Sequence, residues 1–98
     1  MLVMFDLPVV DPVERRAATG FRNFLLDQGF HMAQFSVYYR LLTGRDTALA
    51  MDRKIAATVP EEGSVHVLTI TDKQYENIKT YQGRRADRAK KPDQLALF

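Results

Sequence analysis

An α+β sandwich is the fold class this sequence predicts, on three observations. The first stretch, Met1-Leu2-Val3-Met4-Phe5-Asp6-Leu7-Pro8, runs apolar into one carboxylate and stops at a proline. Two later stretches repeat apolar residues at three- and four-residue spacing, the mark of amphipathic helices. β-rich segments lie between and after them. The order strand, helix, strand material, helix, strand is that of a split βαβ, a ferredoxin-like βαββαβ sandwich. In this reading the first and last core strands are adjacent and parallel at the centre of the sheet.

Residues 1–5 are continuously apolar rather than alternating, as in a strand buried on both faces. Pro8 has no N–H for a sheet ladder, so the strand ends near Leu7. Asp6 then stands at the carboxyl end of a central strand. A carboxylate beside such a run needs a metal, a cation or the solvent edge.

The first helix is fully punctuated. Asp11 is a good N-cap, Pro12 suits the first helical position, and Glu14 completes a capping box. Val13, Ala17, Phe21, Phe24 and Leu25 form its expected core face, and Gly29 ends it. Residues 30–42 are strand material whose apolar parity changes, so a break is expected near Ala33-Gln34. The second helix carries Ala48, Met51, Ile55 and Val59, with Thr43 or Asp46 as its cap and Pro60 as its stop. Residues 64–71 form the next strand. Thr71 or Asp72 then caps one turn through Tyr75, and residues 78–82 are expected as a short additional strand.

Composition narrows the function classes. At 98 residues the chain is one small domain, which a homodimer would help to stabilise. The apolar share of 46% argues against disorder. The absence of cysteine removes disulfides, thiolate metal sites and thiol nucleophiles, and fits a reducing cytoplasm. No apolar run is long enough to span a bilayer, and no stretch reads as a signal peptide. The net charge of +2 is small, but Arg84, Arg85, Arg88, Lys90 and Lys91 crowd together, opposed there only by Asp87. The chain therefore divides into a domain at 1–83 and a basic linker with an apolar tail at 84–98. The tail, Leu95-Ala96-Leu97-Phe98, reads as a frayed end or as a strand for its own or a partner's sheet edge.

Few residues carry chemistry in a recognisable pattern. His31 and His66 both fall in strand segments, where a structural role is the plainer reading. Ser36 and Ser64 have no nucleophile-elbow context, and there is no glycine-rich phosphate loop. Phe35, Tyr38 and Tyr39 suit core packing better than base stacking. Arg15, Arg16 and Arg22 fall off the apolar stripe of the first helix, as a solvated face or as forked phosphate binders. That leaves Asp6. One carboxylate is too few for a metal site, but a twofold axis would bring a second copy to it. Two aspartates, waters and substrate phosphates would suit Mg²⁺ and hydrolysis of a phosphodiester.

The ordered set of segments resembles the small CRISPR-associated protein two family. The resemblance begins at Leu2-Val3-Met4-Phe5-Asp6-Leu7-Pro8 and runs through Phe24-Leu25 and Gly29. It is strongest in Gln34-Phe35-Ser36-Val37-Tyr38 with Leu68-Thr69-Ile70-Thr71-Asp72-Lys73-Gln74-Tyr75-Glu76-Asn77-Ile78. The ending Gln94-Leu95-Ala96-Leu97-Phe98 resembles members found beside RNA-guided effector nucleases of type II systems. Similar proteins usually carry several residues before the first strand, which implies a short extension ahead of Met1.

The resemblance implies a homodimer in which Asp6 and its symmetry mate face each other across a cleft and share a divalent metal. It implies metal-dependent cleavage of RNA or DNA, with Asp6 as the catalytic and metal-binding residue. Phe5 and Tyr38 match positions near that cleft. Arg15, Arg16 and Arg22 are carried over as backbone binders. The family also implies an adaptor role, in which the dimer holds duplex DNA and bridges dimers of the CRISPR integrase while new spacers are captured. Two readings stand beside these: a stand-alone, toxin-like metal-dependent ribonuclease, and a non-catalytic ferredoxin-like binding module.

Overall fold

The computed structural model describes residues 1–83; the basic run and the 95–98 tail read from the sequence lie outside them. Four strands and three helices follow in the order β1 (Leu2–Asp6), α1 (Pro12–Asp27), β2 (His31–Gln34), β3 (Val37–Tyr39), α2 (Arg45–Thr58), β4 (Ser64–Leu68) and α3 (Asp72–Glu76). This is the α+β, ferredoxin-like order read from the sequence.

The sheet runs β2-β3-β1-β4, with β1 antiparallel to both β3 and β4. β1 is central and next to β4, as expected. The expectation that they are parallel, with β4 also central, is corrected. Each helical crossover returns the chain in the direction it left, while the β2–β3 hairpin reverses it once. β4 must therefore oppose β1. It is the outer strand among the described residues, with Val65 and Val67 half-buried and Ser64, His66 and Leu68 exposed.

The core lies between one face of the sheet and the two long helices. Val3 and Phe5 of β1, and Leu7 just beyond it, pack in one core with Ala18, Phe21 and Leu25 of α1 and Met51 and Ile55 of α2. Phe5 meets Phe21 edge-on at 5.2 Å and stacks on Tyr38 at 5.6 Å. Each such aromatic pair adds about 0.5–1.5 kcal/mol beyond the burial itself.

α1 begins where its punctuation dictates. Asp11 Oδ1 accepts from the Glu14 N–H at 2.8 Å, and Glu14 Oε1 accepts from the Asp11 N–H at 3.1 Å. Its core face differs from the expectation at the start: Val13 and Ala17 are exposed. Both line an open pocket with Leu7, Pro8 and Pro60, and full burial begins at Ala18. At the other end Gly29 adopts φ 88. Arg40 Nη1 donates to the Gln28 carbonyl at 2.6 Å, which puts a cation at the negative end of the helix.

The parity break is real. β2 and β3 are two short strands with a register shift between Met32 and Gln34. α2 is capped by neither Thr43 nor Asp46: Gly44 occupies the N-cap without a side-chain hydrogen bond, and Asp46 lies in the first turn. Thr71 caps α3 in a capping box with Gln74. Residues 78–82 carry no strand, which corrects that expectation.

Candidate functional site

β1 carries its side chains alternately to two faces. Val3, Phe5 and Leu7 enter the core, so Leu2, Met4 and Asp6 share the face that α1 and α2 leave uncovered. Cross-strand partners extend that face: Tyr39 and Leu68 flank Leu2, Val37 and His66 flank Met4, and Ser64 stands opposite Asp6. Asp6 is exposed at the end of the run, where Pro8 has stopped the ladder.

α3 covers the other end of this face. Tyr75 stacks on Tyr39 at 3.7 Å with the rings 11° apart, and the Tyr39 hydroxyl donates to Asp72 Oδ1 at 3.0 Å. Tyr39 is only 7% exposed. Burial, and then the Asp72 carboxylate beside it, push its phenol above the usual tyrosine range. Between α3 and the strands an open cavity of about 400 Å³ remains, with Leu2, Met4, Val37, Tyr75, Ile78 and Thr80 among its lining residues.

The other sequence-derived site residues are placed elsewhere. Phe5 and Tyr38 are 5% and 1% exposed, in the helix-side core and on the opposite face from Asp6. The structure does not bring their side chains together with the carboxylate; they anchor the strand that bears it. Arg22 Nε donates to the Tyr38 hydroxyl at 2.9 Å, tying α1 to β3. Arg15 Nη1 donates to the Val10 carbonyl at 2.9 Å, which braces the loop between β1 and α1. Arg16 is exposed, and with Pro12, Arg15, Thr19, Gly20 and Asn23 it lines an open groove on the outer side of α1. The arginines and Asp6 thus belong to opposite sides of the sheet. His31 sits edge-on to Tyr39 at 6.0 Å, and His66 is exposed on β4.

Among the described residues no group of three or more His, Cys, Asp or Glu side chains is placed to hold a metal ion. Asp6 is a single hard-oxygen donor with the Ser64 hydroxyl across the ladder. That donor set could give one carboxylate to a hydrated Mg²⁺, and does not suit a closed four-ligand zinc site. No helix among the described residues is long and apolar enough to cross a membrane.

Comparison with known proteins places the chain among relatives of a single kind. The family model described as CRISPR associated protein Cas2 matches residues 1–78. A CRISPR-associated endoribonuclease Cas2 of Paracidovorax avenae is 50% identical over 99 residues, covering 100% of this chain and 92% of the relative. One of Acidovorax ebreus is 50% identical over 100 residues, covering 100% of this chain and 98% of the relative. One of Streptococcus mutans is 37% identical over 98 residues, covering 100% of this chain and 92% of the relative.

Proposed function

The chain belongs to the CRISPR-associated protein Cas2 family, and from that premise we propose that it is a homodimeric, Mg²⁺-dependent endonuclease whose paired Asp6 carboxylates cleave a phosphodiester. The observation that carries this reading is the exposed Asp6 at the end of the central strand, on the face that α1 and α2 leave uncovered. RNA is the first substrate to test, because the relatives are named endoribonucleases.

The dimer uses the uncovered face. Met4 is half-buried and Leu68 is 48% exposed there, apolar surface that a second copy would bury. A twofold through that face brings the two Asp6 residues towards each other. Asp6 and its symmetry mate hold the ion, and β1, anchored by Val3 and Phe5, keeps each carboxylate in place. When bound, Mg²⁺ supplies an activated water and neutralises charge developing on the phosphate.

A second role is favoured by the separation of the arginines from Asp6. Arg15 and Arg16 line the outer groove of α1 and Arg22 stands on the flank that meets β3, where together they would hold the backbone of duplex DNA regardless of sequence. A dimer gripping DNA on that side is fitted to bridge the CRISPR integrase during spacer capture in the cytoplasm, with cleavage at Asp6 dispensable to that task.

The test is cleavage of single-stranded RNA and of duplex DNA with Mg²⁺, beside duplex-DNA binding, for the native chain and Asp6→Asn. Asp6→Asn is expected to lose cleavage and keep binding. Arg16→Ala is expected to weaken DNA binding and to lower the salt dependence by about one counterion. Equal cleavage by the native chain and Asp6→Asn would remove Asp6 from the chemistry.

A further inference from the structure

We propose that Gly63 and Ser36 are the positioning residues of Asp6: two left-handed backbone turns, one on each side of β1, that fix where the carboxylate leaves the strand. The proposal rests on Asp6 being the nuclease carboxylate and adds what holds it.

β1 lies between β3 and β4, so its end is gripped from both sides. On the β4 side Asp6 stands opposite Ser64, and the preceding Gly63 turns with φ +94. A Cβ at Gly63 would lie 2.6 Å from the Asp6 carbonyl oxygen, 2.8 Å from Leu7 Cδ2 and 3.0 Å from Leu7 Cα. The first and last of these are backbone atoms, so rotating a side chain cannot relieve the clash. Any side chain at 63 must push the end of β1.

On the β3 side the ladder pairs Met4 with Val37 and continues one step further. The Phe5 N–H donates to the Ser36 carbonyl at 3.0 Å. Ser36 does so at φ 62, and it is the one non-glycine residue with positive φ among the described residues. That conformation is uncommon for a side-chain-bearing residue and persists where the surroundings impose it. The two turns act on consecutive residues at the end of β1, Ser36 on Phe5 and Gly63 on Asp6.

An exposed carboxylate is not held by packing of its own. Only its backbone can be fixed by the fold, and a site fails when its supporting shell is loose by about 1 Å. Gly63 and Ser36 supply that support without entering the site. Gly44 provides the contrast: it has a similar φ of +85, but a Cβ there would meet nothing within 4 Å.

The experiment compares Gly63→Ala with Gly44→Ala in the full chain. Both force a side chain into positive φ, and only the first displaces Asp6. Thermal unfolding, titration with Mn²⁺ alone, and RNA cleavage are measured at a temperature where both are folded. Gly63→Ala is expected to weaken Mn²⁺ binding about tenfold and to slow cleavage roughly a hundredfold. Gly44→Ala is expected to leave both within about twofold. Should Gly63→Ala fail to fold, Ser36 decides: Ser36→Val loses Mn²⁺ affinity, and Ser36→Gly, which keeps the left-handed backbone open, restores it. Native Mn²⁺ affinity in Gly63→Ala, or in Ser36→Val, while Asp6→Asn has lost it, overturns the proposal and leaves the Asp6 reading standing. Native affinity and cleavage in Asp6→Asn overturns both.

Discussion

On one face of β1, Val3 and Phe5, with Leu7 just beyond the strand, are buried against α1 and α2; on the other, Leu2 and Met4 lead to the exposed Asp6. The two faces differ in what covers them. Two long helices seal the first, whereas α3, five residues long, seals only the Tyr39 end of the second. Stability is therefore concentrated on one side of the strand, and the other side is left for partners and chemistry. Adjacent residues such as Phe5 and Asp6 can serve these different ends because a strand turns each to its own face.

The largest expected effect tests the sealed face. Phe21→Ala removes a ring that meets both Phe5 and Phe24, and should cost about 3–5 kcal/mol in urea unfolding. A cost below about 1 kcal/mol would mean that this face is not the main core. Tyr38→Phe keeps the ring stacked on Phe5 and removes the acceptor for Arg22. It should cost about 1–2 kcal/mol, because Arg22 is exposed and can turn to water.

The open face should give way first in alkali. The Tyr39 phenol is raised by burial and by Asp72, so the folded state holds its proton more tightly than the unfolded state does. The stability this contributes is whole below about pH 10 and is lost as pH rises through the folded value. Thermal midpoints measured across that range should fall more steeply for the native chain than for Tyr39→Phe. Parallel curves would detach Tyr39 from the seal. The smallest effect on stability belongs to Asp6→Asn, expected within about 0.5 kcal/mol by unfolding, because the side chain is exposed.

What the sequence revealed depended on how local the determining contacts are. α1 was legible to its first residue, because Asp11, Pro12 and Glu14 act within one turn. Asp6 was legible because Pro8 marks the strand end two residues on. The direction of β4 was legible too: the βαββαβ order holds one reversal, at the β2–β3 hairpin, and so sets β4 against β1, with which the parallel expectation was inconsistent. The alternation of Val65 and Val67 with exposed Ser64, His66 and Leu68 was present in the sequence and marks a strand covered on one side. Phe5 is next to Asp6 in the chain and Tyr38 stands opposite Val3 and stacks on Phe5, and alternation turns both into the core. The Glu61-Glu62-Gly63 turn was readable as a turn; its contact with the Asp6 carbonyl requires the fold. Nothing in Phe35-Ser36 signals positive φ, because serine there lacks the usual glycine or asparagine cue.

The most direct test of a paired site is to mix native and Asp6→Asn chains in equal amounts, refold them together so that subunits exchange, and measure Mg²⁺-dependent RNA cleavage. If both aspartates are required, only dimers with two native chains cut, and activity falls to about one quarter of the all-native value. Activity of about one half would mean that each Asp6 works alone, and would contradict the shared site.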